Sequence, residues 1–269
     1  MEVIGYILAG LVGGIMGLLG SGGSLIVPVM VFLFGKDDIT ATGYALFLVG
    51  FTATSGVLSK LRKREIAGMT ALTLVIPVSF GTWLGRGLIH ALPEILFQIG
   101  NYPLSRRQVV LGIYALMLIL SFLSMMGLLG KDLRARPELR QERPLAYFSL
   151  IGLLGLIIGV LSGLTGAGGG ILIVPVIVVL MGIPMKIAVG TSLTIQVFKS
   201  YIGFSKDWVE MGSLIEWKFI FTLTAVMVVG ILLGSKVSNY IDGSRLKKAY
   251  GWFVLLMGIF ILVKELIFR

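Results

Sequence analysis

Apolar stretches recur along the whole chain, most of them about 20 residues long, the length a helix rising 1.5 Å per residue needs to cross a hydrocarbon core of roughly 30 Å. They run at roughly 3–19, 24–34, 41–58, 69–90 and 107–127, and again at 146–165, 171–182, 187–204, 217–239 and 249–268. With 57% hydrophobic and only 13% charged residues among 269, too little polar surface is left to clothe a water-soluble domain. The expected fold is therefore an all-α integral membrane protein, multi-pass.

Charge and cysteine content remove several functions. The net charge is +10, but the Lys and Arg residues lie mainly in short loops, where positive-inside bias places them. No nucleic-acid partner is implied. The chain has no cysteine, so no disulfide or thiolate metal site can form. No cofactor is implied. The first basic residue is Lys36, so the first apolar segment is not expected to be a cleaved signal peptide.

The chain reads as an internal duplication. Gly17, Gly20, Gly22 and Gly23 fall on Gly163, Gly166, Gly168 and Gly169, and Leu25 to Pro28 then falls on Leu172 to Pro175. Downstream, Gly35, Gly43, Phe51 and Gly56 fall on Gly182, Gly190, Phe198 and Gly203, and Gly81 and Gly85 on Gly230 and Gly234. The expected organisation is a first membrane repeat at 1–130, a basic cytoplasmic linker at 131–145, and a second repeat at 146–269.

In each repeat the first two segments are too short for two ordinary spans. Joined, they form about 32 residues and would reach roughly 48 Å as one straight helix. Either the pair is a re-entrant hairpin or it is a broken, tilted single span. A hairpin leaves three full crossings per repeat and inverts the second repeat relative to the first. A broken span leaves four and makes the repeats parallel. Segment length favours the inverted arrangement, which puts the N-terminus outside; both arrangements put the loop of Lys60, Arg62, Lys63 and Arg64 in the cytoplasm.

The breaks are glycine-rich: Gly20, Ser21, Gly22, Gly23, Ser24, and Gly166, Ala167, Gly168, Gly169, Gly170. Irregular backbone at membrane depth survives only where protein buries it or it lines a wet cavity. A new helix is expected after each, with Ser24 or Gly170 as N-cap and Pro28 or Pro175 early in it. Such helix starts offer N–H groups and the positive dipole end to an anion. Gly10, Gly14, Gly155 and Gly159 instead have the spacing of close helix packing.

Ser192, Gln196 and Lys199 stand at i, i+4 and i+7 and share one helix face, flanked by Thr191 and Ser200. The matching positions in the first repeat are Ala45, Val49 and Thr52. A lysine within a span either faces the interior, where it attracts an anion, or snorkels to the interface; the sequence leaves both open. Arg86 is expected as an interfacial anchor and His90 as a boundary residue. No Asp or Glu is expected well inside a span. That counts against a proton relay, a cation site and an intramembrane hydrolase.

The two glycine clusters running into Leu-Ile-Val-Pro at 25–28 and 172–175, with Ala188-Val-Gly-Thr-Ser-Leu193, resemble the sulfite exporter TauE/SafE family over nearly the whole chain. The resemblance implies a permease for sulfite, organosulfonates and related small anions in a bacterial inner membrane. It implies a path lined by Gly20 to Ser24, Gly166 to Gly170, and Gly190, Thr191 and Ser192. One departure is Thr42-Gly-Tyr-Ala45 where the second repeat has Val189-Gly-Thr-Ser192. The expected function is a secondary anion transporter with no enzymatic activity. Ser24, Thr191, Ser192 and Gln196 would donate hydrogen bonds and Lys199 would supply charge, and a homodimer is compatible with it. The rival readings are a permease for a different small solute and a non-transporting membrane assembly or sensory protein.

Overall fold

A computed structural model describes residues 2–99, 102–128, 144–166 and 170–267. The expected linker lies outside these residues for 131–143. The described chain is almost entirely helical. Helix α1 is Glu2–Leu19, followed by a 3-10 turn at Gly23–Leu25 and α2 at Ile26–Leu33. Then come α3 (Asp38–Leu61), α4 (Gly68–Ala91) and α5 (Arg106–Met126). After the linker come α6 (Pro144–Thr165), α7 (Gly170–Pro175, continued as a π-helical turn at Val176–Leu180), α8 (Met185–Met211), α9 (Trp217–Asn239) and α10 (Gly243–Ile267). A short antiparallel hairpin, β1 (Ile95–Ile99) with β2 (Tyr102–Ser105), joins α4 to α5. It was not expected from the sequence.

Five helices, α3, α4, α5, α6 and α9, are long and apolar enough to cross a membrane among the described residues. Their outer faces are apolar. On α4, Met69, Leu72, Ile76, Phe80 and Leu88 are exposed at helical spacing, as a lipid-facing stripe requires. Helix α3 is enclosed on most sides by α2, α8 and α9.

The first two segments of the chain form a hairpin. As one straight helix, Gly5 and Phe34 would stand roughly 44 Å apart. Instead a Cβ on Gly5 would come 2.5 Å from Phe34 Cζ, and the Tyr6 and Phe34 rings are 5.6 Å apart. The turn is made by Gly20 in the left-handed region, φ +72°, where a side chain is strained. Gly22 then packs on α1 itself, since a Cβ there would meet Met16 N at 2.7 Å. Segments α6 and α7 fold back in the same way. Gly166 has φ +58°, and Met181 and Ile183 pack in one cluster with Tyr147 at the start of α6.

Ser24 is not an N-cap. It lies within the 3-10 turn, which is capped by Gly22, and α2 is capped by Leu25 without a side-chain bond. The tight return leaves no extended residue at 24 to supply the capping geometry. Pro28 sits in the first turn of α2, as expected. Pro175 ends α7 and has no N–H for the carbonyl of Ile171. That carbonyl accepts instead from Ser121 Oγ on α5 (2.7 Å) and Tyr250 Oη on α10 (2.6 Å). The π-helical turn begins directly after this proline.

Two glycine-built crossings hold the bundle. On α1 and α9, a Cβ at Gly13 would meet Met227 O at 2.2 Å, at Gly17 Ile231 O at 2.2 Å, and at Gly234 Gly14 O at 1.9 Å. On α4 and α6, Cβ atoms at Gly81, Gly85, Gly159 and Gly163 would each fall 2.3 Å from a carbonyl of the facing helix. This is the small-residue packing expected of Gly14 and Gly159. In both crossings the helices run parallel. Helices α3 and α8 run antiparallel: Gly43 lies against Asp207, Gly50 against Ser200, and Gly190 against Glu65.

Candidate functional site

The two hairpin tips meet. A Cβ on Gly170 would lie 2.7 Å from Gly20 O, 2.8 Å from Gln196 Nε2 and 2.9 Å from Ser21 Cα. Each tip also rests on the central helix of the other half, Gly20 on Val189 of α8 and Gly166 on Thr42 of α3. The Gly20 carbonyl, freed by the break, accepts from Ser192 Oγ (2.8 Å) and Gln196 Nε2 (2.7 Å). Gln196 Oε1 is buried with no protein partner.

The expected stripe on α8 is thus interior. Ser192, Gln196, Lys199 and Ser200 are all fully buried. Lys199 does not snorkel: its ammonium donates to Ser162 Oγ on α6. A lysine so deep in a membrane bundle is costly to bury.

Other residues of the expected set have different surroundings. Thr191 Oγ1 accepts from the backbone N–H of Ala67 (2.9 Å) and donates to Ile187 O, so it holds the loop after α3 to the start of α8. Gly190 allows the same approach, with Glu65 O 2.1 Å from where its Cβ would be. Gly23 packs on Val49 and Met16. Ala167, Gly168 and Gly169 lie outside the described residues, as does the side chain of Ser24.

At the end where α3 starts and α8 finishes, the structure overturns two expectations. Helix α8 runs to Met211, so Asp207 is a carboxylate inside a helix of the bundle, fully buried. Arg86 is no interfacial anchor: it is fully buried and paired with Asp207. Its Nε donates to Asp207 Oδ1 (2.9 Å) and its Nη1 to Thr42 Oγ1 (2.8 Å). His90 stands one residue before the end of α4, at the boundary as expected, and is engaged there. Its Nε2 lies 2.9 Å from Asp207 Oδ1 and its Nδ1 2.8 Å from Glu210 Oε2. The physical reason is mutual neutralisation, which lets charges leave water. Gly43 makes the room, since a Cβ there would sit 3.1 Å from Asp207 Cγ.

The opposite end carries a second ionic contact. Lys60 of α3, fully buried, donates to Glu65 Oε2 (2.7 Å) and Ser238 Oγ (3.4 Å). Between the two ionic clusters lie the hairpin tips, Gln196 and Lys199.

The sulfite exporter TauE/SafE family profile matches residues 6–261. The chain belongs to this family. A probable membrane transporter protein, YunE of Bacillus subtilis, is 27% identical over 261 residues, covering 89% of this chain and 88% of its own. A second from that organism, YjnA, is 24% identical over 258 residues, covering 95% and 98%. A probable membrane transporter protein of Xylella fastidiosa is 24% identical over 259 residues, covering 94% and 92%. No solved structure matches. As a TauE/SafE protein the chain is a multi-pass membrane transporter, not an enzyme, acting on a small solute within a lipid bilayer.

Proposed function

We propose that this TauE/SafE protein is a secondary permease for a small anion, sulfite or an organosulfonate, in the inner membrane. The supporting observation is Lys199, buried on α8 three residues beyond Gln196, whose amide lies where the two glycine turns meet. Glycine there lets a ligand reach backbone N–H groups, and the ammonium supplies charge. Ser192 and Gln196 now donate to the Gly20 carbonyl. A shift of that hairpin tip would release both donors to an oxyanion.

The two halves are proposed to be inverted repeats, a relationship favoured by the antiparallel run of α3 and α8 and the hairpin that opens each half. Alternating access then follows from rocking one repeat against the other. The Arg86–Asp207 pair and the Lys60–Glu65 contact, at opposite ends of α3, would open in turn. Residues 1–130 and 146–269 are the two units, and the basic linker is cytoplasmic.

The test is anion-dependent thermal stabilisation of the purified chain by sulfite, sulfate, thiosulfate, taurine and sulfoacetate. A ligand at a hundredfold excess over its dissociation constant stabilises by about 2.7 kcal/mol. Stabilisation by a sulfur oxyanion, lost in Lys199→Ala, is the expected result. Stabilisation retained in the variant would remove Lys199 from the site. No stabilisation by any of them would turn the assignment toward another solute.

A further inference from the structure

Glu210, His90, Asp207 and Arg86 form one continuous row from the surface into the bundle. The outer end opens on a pocket of about 420 Å³ bounded by Gly35, Lys36, Asp37, Tyr44, His90 and Glu210. Exposure falls along the row: the side chains of Glu210, His90 and Asp207 are 36%, 12% and 0% exposed. Asp207 Oδ2 is buried and has no hydrogen-bond partner.

The row has a place for one proton more than a neutral imidazole carries. Both His90 nitrogens face carboxylate oxygens, at 2.8 and 2.9 Å. A neutral imidazole has one N–H, so bonds at both ends need one further proton, on the ring or on a carboxyl group.

We infer that Asp207 is a proton-binding site, filled through Glu210 and His90, and that its protonation releases Arg86 to pair with an anion. This coupling rests on the anion-permease reading; the proton site does not. A proton from water in the outer pocket adds to Glu210. The His90 Nε2 proton passes to Asp207 Oδ1 as Nδ1 takes the proton from Glu210. The carboxylate becomes a neutral carboxyl group, and nothing else is consumed. Arg86, whose charge is permanent, then lacks its counter-ion while Thr42 Oγ1 and Gly163 O still orient it. An anion restores neutrality, so proton and anion occupy the protein together.

The other charges around the row are engaged elsewhere. On α8, Lys206 lies over the Trp83 ring of α4. Before and on α3, Lys36 pairs with Glu216, Asp37 caps the helix by accepting from Thr40, and Asp38 pairs with Arg106 at the start of α5. Helix α6 presents the Gly163 carbonyl to Arg86. Lys199 lies two turns further along α8, bonded to Ser162.

The test uses the full chain in lipid vesicles. Infrared difference spectra between mildly alkaline and mildly acidic buffer report the carbonyl stretch of a protonated carboxyl group. The expected band is absent in Asp207→Asn and retained in Asp38→Asn. Because Asp207→Asn strands the Arg86 charge, Arg86→Gln gives an independent reading. It keeps the carboxylate and removes its counter-ion, so the band reaches half-height at a proton concentration lower by about tenfold or more. A band unchanged in both variants, or no band in wild type, overturns the proton site. The second arm adds thiosulfate or isethionate, whose charges do not vary over this range, to weakly buffered vesicles and follows a pH dye. Proton uptake with the anion, lost in Arg86→Gln, is expected. Anion binding without proton uptake overturns the coupling. Binding of neither anion by wild type counts against the permease reading, and the infrared band still decides the proton site.

Discussion

The carbonyl oxygen of Gly20 lies 2.7 Å from where a Cβ on Gly170 would stand. The tips of the two hairpins therefore touch through backbone, with no room for a side chain between them. Gly170→Ala would force Gly20, or the Gln196 amide bonded to it, to move. The expected loss is about 1–3 kcal/mol of stability, read as a lower unfolding temperature in detergent. Gly152→Ala, where nothing lies within 4 Å, is the matched control and leaves the temperature unchanged.

The α1/α9 crossing predicts a second, independent sensitivity. A Cβ at Gly234 would sit 1.9 Å from the Gly14 carbonyl, so Gly234→Ala must push two parallel helices apart. A comparable destabilisation, about 1–3 kcal/mol, is expected in the same unfolding assay. Gly112→Ala on α5, again in open space, should behave as wild type.

Ile171 gives a prediction about hydrogen bonding rather than packing. Its carbonyl is served by Ser121 and Tyr250 in place of the N–H that Pro175 lacks. Either Ser121→Ala or Tyr250→Phe leaves one donor and costs about 1 kcal/mol, whereas the double variant strands the buried carbonyl at about 1–3 kcal/mol more. A double variant no worse than the singles would mean that the carbonyl finds another donor.

The Arg86–Asp207 pair separates stability from function. Removing one partner leaves a buried unpaired charge, worth about 3–5 kcal/mol of destabilisation. Arg86→Met combined with Asp207→Leu removes both charges and should restore most of the stability. Transport should not return with it. A double variant with wild-type transport would reduce the pair to scaffolding.

How far the sequence spoke depends on the range of the contact. The hairpins were legible because 24–34 and 171–182 are too short to cross a bilayer and are preceded by glycine runs. The Gly14 and Gly159 crossings followed from spacing alone. That Ser192, Gln196 and Lys199 share one helix face followed from periodicity; that Lys199 turns inward rather than to the interface did not. Asp207 escaped because the apolar run of its helix stops near Phe204, and a carboxylate beyond that point reads as a loop residue. Its partner Arg86 is 121 residues away, and no local pattern links the two. Arg86 and His90, read one at a time, look like ordinary helix-end residues. Thr191 shared the apparent polar face, but packing turns it toward Ala67 instead.

The most direct measurement is uptake of radiolabelled sulfite and isethionate into vesicles containing the purified chain, with wild type beside Lys199→Met. The prediction is saturable uptake of at least one of them by wild type. A correctly folded Lys199→Met should lose it by about tenfold or more, since a charge-assisted contact to the anion is gone. Equal uptake by the two proteins, or none by wild type, would contradict an interior anion site built around Lys199.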